Sequence, residues 1–303
     1  MLLGSMYVFI PNIVALKANI EIKAASPAIH RMLLDSNNIP RWWPGKVNKD
    51  SLFMNDFVYK INTGNITVMP VSVTGQNADL ATSLYLISTK PDYTNLQWVG
   101  TMATSYNPIS RLHTYLTAKQ IKRDMTNILE KMEVFYSNPE NIYGIKIKKT
   151  YIADSLLIAT SSICKGYPTN DFIYSLVNKL RNYATLNSSK ESGYPMLNIS
   201  TADSINFEIK VALPIDKLLP SSGDILQKRM PGGNIILVTE VNGGPDINNM
   251  AFEQIQKYTI DHQIGFAAIP FYSLVTDRTK EPDTNKWQTK IYCPVMIYGR
   301  DLN

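Results

Sequence analysis

Two nine-residue segments in the second half of the chain match each other without a gap at a separation of eighty residues. FEIKVALPI at 207–215 aligns with WQTKIYCPV at 287–295. A lysine and a proline recur unchanged, Lys210 and Pro214 in the first segment, and the aromatic start and aliphatic end recur in kind. Both segments have the β-branched and aromatic character that is typical of strands.

The match continues upstream with small gaps. The segment 155–159 corresponds to 235–239. A helical apolar pattern follows in each case, formed by Phe172, Ile173, Leu176, Val177 and Leu180 and by Ile247, Ala251, Ile255 and Tyr258. Chance rarely keeps strand, helix and strand in register at one period, so the pattern indicates a duplication. We expect two β-α-β-β copies, 143–215 and 223–296, that face each other across a pseudo-twofold axis and leave a groove for a ligand.

The length of the chain favours two domains. At 303 residues it exceeds the size at which a single core usually keeps growing. The composition, 45% hydrophobic and 18% charged, lies in the globular range. The polar stretch 138–141 marks a linker. The sequence therefore predicts an α+β protein with one domain at 13–141 and a second, duplicated domain at 142–303.

The charge distribution, the cysteines and the histidines argue against nucleic-acid binding, a disulfide framework and a metal site. The net charge of +5 is spread without a run of five like charges, so no nucleic acid partner is expected. Cys164 and Cys293 give neither a disulfide framework nor a metal-ligand spacing, and their apolar surroundings indicate buried free thiols. His30, His113 and His262 are isolated, so we predict no metal site and no cofactor.

The first sixteen residues, MLLGSMYVFIPNIVAL, are apolar but shorter than the roughly 20 residues that span a bilayer, and Pro11 interrupts them. They lack the basic region and cleavage site of a signal peptide. We interpret them as a lead-in strand or as the tail of a longer anchor. No full transmembrane span is expected in this chain. The expected location is the cytoplasm, with membrane association if such an anchor exists.

The first domain begins with a polar-apolar alternation at 19–23 that predicts a strand. Ser26 and Pro27 predict a helix start, with Ser26 as the N-cap and Pro27 as the first helical residue. The stretch 51–116 is rich in β-branched and aromatic residues. It is divided into about five antiparallel strands by turn sequences at 62–64, 74–77 and 90–92.

A long helix is predicted to close this domain. Thr117 and Gln120 fit a capping box at its start. A stripe with steps of three and four follows, formed by Ile121, Met125, Ile128, Met132 and Phe135. Ser137-Asn138-Pro139 ends the helix. A helix with one apolar stripe must pack on another surface, and the preceding sheet supplies one.

Residues 13 to about 140 resemble the START-like SRPBCC superfamily, also called polyketide cyclase-like. The resemblance rests on the strand 20–23, the helix after Ser26-Pro27, the phrase IPRWWP at 39–44, the strand-rich middle and the long last helix. It implies a sheet wrapped around the C-terminal helix, a helix-grip fold, with an apolar cavity inside.

Residues 143 to 297 resemble the GyrI-like domain, the effector-binding domain of bacterial multidrug-sensing transcription regulators. The tandem repeat and the proline late in each last strand, Pro214 and Pro294, carry the resemblance. It implies a small-molecule site in an aromatic cleft. The order of the two resemblances in one chain is similar to a recurrent bacterial architecture.

The chain departs from the GyrI-like pattern at two acidic positions. That family typically places a glutamate in the strand before the last one, where it meets a cationic ligand. The nearest position here is Tyr272 or Ser273. Lys290 replaces the acidic residue often found in the last strand. The resemblance therefore does not carry over recognition of a cation.

Candidate ligand-binding side chains form two sets. In the groove of the second domain they are Phe207, Glu208, Glu240, Tyr272, Trp287 and Tyr292. In the cavity of the first domain they are Trp43, Tyr59 and Trp98. The alternative for the aromatic residues is ordinary core packing. The two glutamates lie in apolar strands, where alternation can point them to solvent. If they face the groove instead, burial raises their pKa and makes either one a candidate acid, base or cation partner, which Lys210 and Lys290 can neutralise.

The sequence favours a protein that binds an apolar or amphipathic small molecule, mainly in the groove and also in the first cavity. One alternative is a hydrolase of a reactive xenobiotic that uses Glu208 or Glu240 with Tyr272. Another is a protein-interaction module similar to a topoisomerase inhibitor. The sequence contains no G-x-S-x-G, G-x-G-x-x-G or P-loop motif.

Overall fold

The computed structural model describes residue 7, residues 9–75 and residues 78–296. The chain forms two compact units, residues 1–142 and 143–303. Each unit combines helices with an antiparallel sheet, so the predicted α+β class is confirmed. Within the described ranges, no helix has both the length and the apolar character that crossing a bilayer requires.

Among the described residues, the N-terminal unit forms a seven-stranded sheet. Its strands are β1 (Ile13–Ile22), β2 (Lys46–Asn48), β3 (Ser51–Met54), β4 (Phe57–Ile61), β5 (Val68–Gly75), β6 (Ala78–Lys90) and β7 (Tyr93–Ala103). Their order is β1-β7-β6-β5-β4-β3-β2, with antiparallel neighbours throughout. The predicted meander of five strands is therefore confirmed as β3 to β7.

From Ile10 onwards, the helices of this part of the chain are α1 (Ser26–Leu34), a 3-10 turn (Ile39–Arg41), α2 (Pro108–Tyr136) and α3 (Pro139–Tyr143). α2 packs against β1 and β7. Its predicted stripe is confirmed, because Ile121, Met125, Ile128 and Met132 are at most 1% exposed and share one core with the sheet. The helix ends at Tyr136, as the following stop sequence predicts.

The capping box predicted at Thr117 and Gln120 is wrong, because α2 begins earlier, at Pro108. The N-cap is Asn107. Its Oδ1 accepts hydrogen bonds from the backbone N–H groups of the second and third helical residues, at 3.0 and 3.2 Å. Pro108 fits the first helical position, where no intrahelical N–H bond is lost.

The start of α1 also differs from the prediction by one residue. Ala25 holds the N-cap position without a side-chain hydrogen bond, and Ser26 is the first helical residue. At the chain start, the interpretation of residues 1–16 as a lead-in strand holds from Ile13, where β1 begins, but residues 7 and 9 are helical. Residues 1–6 and 8 of that segment, and residues 76 and 77 of a predicted turn, lie outside the described residues.

The C-terminal unit has one larger antiparallel sheet. Its strands are β8 (Lys148–Tyr151), β9 (Ser155–Lys165), β10 (Met196–Thr201), β11 (Asn206–Ile215), β12 (Leu226–Met230), β13 (Ile235–Asn242), β14 (Gly265–Phe266), β15 (Phe271–Leu274) and β16 (Gln288–Met296). The order is β12-β9-β11-β10-β15-β16-β13-β8, and β14 pairs with β16. Its helices are α4 (Asn170–Leu186), α5 (Pro245–Asp261) and a 3-10 turn (Thr284–Lys286).

The six inner strands have the same arrangement when read from either end, β9-β11-β10 followed by β15-β16-β13. α4 packs on β9 and β11, and α5 packs on β13 and β16. Each half therefore has the β-α-β-β order expected from the sequence.

The strand register refines the match between the halves. Pro214 faces Leu157 in the first half, and Pro294 faces Ile236 in the second. Leu157 therefore corresponds to Ile236. The upstream alignment predicted from sequence, which matches Leu157 with Leu237, is off by one residue.

The halves differ most in their last connection. Only residues 202–205 join β10 to β11, whereas residues 275–287 join β15 to β16. The longer connection carries the 3-10 turn and, as shown below, a buried arginine.

Candidate ligand-binding site

The sheet of the C-terminal unit has one face covered by α4 and α5 and one open face. Neighbouring residues of a strand alternate between the two faces. Ile209 and Val211 are buried in the core that α4 covers. Lys210 and Ala212 therefore point to the open face. The predicted groove residues divide between the two faces in the same way.

Phe207, Tyr272 and Trp287 lie on the helix-covered side. The Phe207 ring centroid is 5.7 Å from that of Tyr167. Tyr272 is half-buried against the apolar cores of both halves, and burial raises its pKa to about 12. Trp287 is 6% exposed, and its Nε1 donates to the Glu281 carbonyl at 2.8 Å.

Glu208, Glu240 and Tyr292 lie on the open face. The Lys210 Nζ is 2.9 Å from a Glu208 carboxylate oxygen. In the other half, the Lys290 Nζ is 3.7 Å from Glu240. Each glutamate is therefore paired with the lysine of its own half. This agrees with the expectation that Lys210 and Lys290 can neutralise these carboxylates.

These positions keep the carboxylates away from Tyr272. Its ring packs under the helices, while Glu208 and Glu240 lie across the sheet on the open face. The hydrolase alternative combined one carboxylate with this tyrosine. The structure does not bring those groups together.

A mainly apolar pocket of about 640 Å³ lies on the open face, which we call the open-face pocket. Pockets of roughly 300–1,000 Å³ hold most drug-sized ligands. Its lining includes Leu157, Met196, Ala212, Met230, Ile269 and Phe271. Phe271 also stacks on the predicted site residue Tyr292, with ring centroids 5.0 Å apart.

Alanine side chains leave the space of this pocket unfilled where it borders the sheet. Ala159 and Ala212 face each other on β9 and β11, and both line the pocket. Ala267 and Ala268 line it from the connection after β14. Larger side chains at these four positions would fill much of the pocket. Protein interiors normally pack without voids of this size, so the four alanines keep the pocket open.

Two hydrogen bonds, one from the backbone and one from a side chain, fix the wall formed by residues 267–271. The Ala267 N–H donates to the Pro294 carbonyl at 2.9 Å. The Asn198 Nδ2 donates to the Pro270 carbonyl at 2.9 Å. The wall is therefore tied to both β16 and β10, which favours a pocket that exists before a ligand arrives.

Two of the cations in the pocket lining already have partners. Arg229 donates to both carboxylate oxygens of Asp154, at 3.0 and 2.5 Å. These hydrogen bonds lower the pKa of Asp154. Lys210 pairs with Glu208. A neutral apolar ligand can therefore occupy the pocket without leaving these two charges unpaired.

Trp43, Tyr59 and Trp98 lie together in the N-terminal unit. The Tyr59 ring centroid is 5.6 Å from that of Trp43 and 6.0 Å from that of Trp98. All three are at most 6% exposed and belong to the core that packs on α2. The structure brings this predicted set into one cluster.

Asp124, which was not predicted from the sequence, lies beside this cluster and is 1% exposed. Its carboxylate accepts hydrogen bonds from Tyr59 Oη at 3.1 Å, Asn55 Nδ2 at 2.7 Å and Gln120 Nε2 at 2.9 Å. Burial raises the pKa of Asp124, and the hydrogen bonds oppose this increase only in part. The spacing of Gln120 and Asp124 by one helical turn was the one sequence signal for this network.

Comparisons with known proteins give low-identity structural likenesses. No family model matches the chain, and no curated protein matches it. The C-terminal domain of EcmrR is 13% identical, with a TM-score of 0.44, over 50% of this chain and 98% of that domain. SAV2435 bound to tetraphenylphosphonium is 15% identical, with a TM-score of 0.34, over 50% of this chain and 94% of that one. The Zhui aromatase/cyclase from Streptomyces sp. R1128 is 8% identical, with a TM-score of 0.29, over 40% and 94%.

Proposed function

We propose that the C-terminal unit binds an apolar or amphipathic small molecule in the open-face pocket. The observation that supports this most directly is the hollow of about 640 Å³ with an alanine floor and Phe271 in its lining. Transfer of an apolar ligand surface from water into such a pocket contributes roughly 25 cal/mol per Å².

Phe271 gives this ligand an aromatic contact in the pocket lining, and Tyr292 stacks on that ring. Aromatic rings supply large rigid surfaces and lose little side-chain entropy on binding. Because Tyr292 is already stacked on Phe271, the pair needs little rearrangement when a flat ligand binds.

We also infer that the two halves of the unit arose by duplication and that residues 13–141 and 142–303 are separate domains. The mirrored strand order and the matching registers of Pro214 and Pro294 support the first inference. Expression of residues 1–141 and 142–303 tests the second. Two separate cooperative unfolding transitions support it, and failure of both fragments to fold contradicts it.

Titration with the neutral dye Nile red tests the proposed function. Its fluorescence should rise on binding to the intact protein. Ala212→Trp places a large side chain on the pocket floor and should weaken binding at least tenfold. Ala202→Trp is the matched control, because Ala202 is exposed in the connection between β10 and β11.

The control should bind the dye as the unmodified protein does. Circular dichroism must first show that both variants keep the fold. Equal affinity of Ala212→Trp and the unmodified protein would show that the open-face pocket is not the site.

A further inference from the structure

Arg278 is a buried cation that has no carboxylate partner among the described residues. It is 8% exposed. Its Nη2 donates to Thr289 Oγ1 at 3.0 Å, and its guanidinium carbon lies 4.9 Å from the Trp287 ring centroid. Among the described residues, no aspartate or glutamate oxygen lies within 4.0 Å of it, and neighbouring Asp277 pairs with Arg181 instead. A buried charge is unfavourable unless an opposite charge compensates it.

Arg278 lines a largely enclosed cavity of about 30 Å³ on the helix-covered side, which we call the helix-side cavity. A single water molecule occupies roughly 10–15 Å³ as one sphere, so the cavity has room for more than one water molecule. Tyr167 and Tyr272 also line it. The cavity lies on the opposite side of the sheet from the open-face pocket.

Asn248 adds a second polar group without a partner. It lines the helix-side cavity and is 5% exposed. Its buried Oδ1 accepts no hydrogen bond from any described residue. A half-turn of the amide exchanges oxygen and nitrogen, so the same position can present an N–H donor.

The N-terminal ends of both helices border this cavity. Asn170, the first residue of α4, and Pro245, the first residue of α5, are in its lining. The N-cap of α5 is Gly244, and no side chain caps that helix. Helix N-termini carry partial positive charge and free N–H groups, and both favour an anion.

From these features we infer that the helix-side cavity binds a compact oxyanion, a carboxylate or a phosphate. Arg278 supplies the counter-charge, and the Asn248 amide and the uncapped N-terminus of α5 supply further donors. The site is separate from the apolar pocket and does not depend on the function proposed for that pocket.

Arg278 reaches the cavity because of the longer connection in the second half. It lies within residues 275–287, and the first half has only residues 202–205 at that place. The backbone N–H of Arg278 donates a hydrogen bond to Tyr174 Oη at 2.9 Å. Both halves line the cavity, but the arginine that supplies its positive charge comes from the second half alone.

The electrostatics of the surrounding groups agree with this site. Burial lowers the pKa of Arg278, while the nearby Tyr174 and Tyr167 phenols act in the opposite direction. Asp246, in the first turn of α5, opposes anion binding, because it places a negative charge near the same cavity. Burial is the main cause of the raised pKa of Tyr167, and the charge of Asp246 raises it further. Asp246→Asn should therefore strengthen oxyanion binding several-fold.

Calorimetric titration of the intact protein with inorganic phosphate, acetate and benzoate at constant ionic strength tests the inference. At least one of the three should bind. Binding of phosphate indicates a free inorganic oxyanion, and binding of acetate or benzoate indicates the carboxylate of an organic molecule. Arg278→Met should reduce that affinity at least tenfold. Arg123→Met is the control and should leave the affinity unchanged, because Arg123 is exposed on α2 and lines neither the open-face pocket nor the helix-side cavity.

Asn248→Asp provides a second test of anion binding in the helix-side cavity if Arg278→Met does not fold. The new carboxylate should act as an internal counter-ion for Arg278, so binding should be lost without a decrease in Tm. Retention of wild-type affinity in Asn248→Asp or in folded Arg278→Met would overturn the inference. Absence of binding of all three anions to the unmodified protein would also overturn it.

Discussion

Leu197 and Tyr272 pair directly with each other across the ladder between β10 and β15, and they occupy equivalent positions in the two halves. Leu197 faces Val211 of β11, and Tyr272 faces Ile291 of β16. Val211 and Ile291 each follow the lysine that the sequence repeat matches. The pseudo-twofold axis of the strand arrangement therefore passes between Leu197 and Tyr272.

This position makes Tyr272 a contact shared by both apolar cores of the C-terminal unit. Tyr272→Ala should lower the free energy of unfolding by about 2 kcal/mol, less than for a fully buried ring, because Tyr272 is half-buried. Tyr272→Phe should change it by less than about 1 kcal/mol, because the hydroxyl makes no hydrogen bond with a described residue. Urea unfolding monitored by circular dichroism measures both. Equal effects of the two substitutions would contradict the packing role.

Asn107 should stabilise the start of α2. Its side chain accepts two backbone hydrogen bonds, so Asn107→Ala should lower the free energy of unfolding by about 1 kcal/mol. Thr114→Ala, within the same helix, serves as the control and should change stability by less than about 0.5 kcal/mol. Equal losses of stability in Asn107→Ala and Thr114→Ala would contradict a stabilising role of Asn107 as N-cap.

Asp124 should make stability depend on pH in a defined direction. Its pKa is raised in the folded state, so the folded protein holds this proton more tightly than the unfolded chain does. Its contribution is therefore most favourable below the unfolded pKa of about 3.9 and declines as pH rises towards the folded value. Asp124→Asn removes this titration.

The stability advantage of the unmodified protein over Asp124→Asn should thus shrink between pH 4 and pH 7. Urea unfolding of both proteins across this range measures the difference. An advantage that grows with pH would mean that the hydrogen bonds from Tyr59, Asn55 and Gln120 outweigh burial.

Glu208 should have little influence on a neutral ligand. It is paired with Lys210 at a partly exposed position, where an ion pair contributes about 0–1 kcal/mol. Glu208→Gln should leave Nile red affinity within about twofold of the unmodified value. A tenfold loss would favour recognition of a positively charged ligand instead.

The sequence predicted those elements whose burial follows a regular period. The stripe from Ile121 to Met132 identified the buried face of α2, but the first turns of that helix carry no such stripe. Ile109 and Leu116 are exposed there, and the buried side chain is Arg111, whose Nε donates to the Ile10 carbonyl at 3.1 Å. Hydrophobic periodicity cannot detect a helix turn that is anchored by an arginine.

The candidate site was harder to predict for a related reason. Strand alternation can tell that Ala212 and Ile209 point to opposite faces, but the wall formed by residues 267–271 depends on long-range bonds to Pro294 and Asn198. Burial of Arg278 depends likewise on a connection that folds back onto the sheet. Local sequence carries no signal for either arrangement.

A crystal structure of the protein with Nile red tests the central claim most directly. The account predicts electron density for the dye on the open face of the C-terminal sheet, against Ala212 and next to the stacked rings of Phe271 and Tyr292. Density under α4 and α5 beside Tyr272, or within the aromatic cluster of Trp43, Tyr59 and Trp98, with the open-face pocket empty, would contradict it.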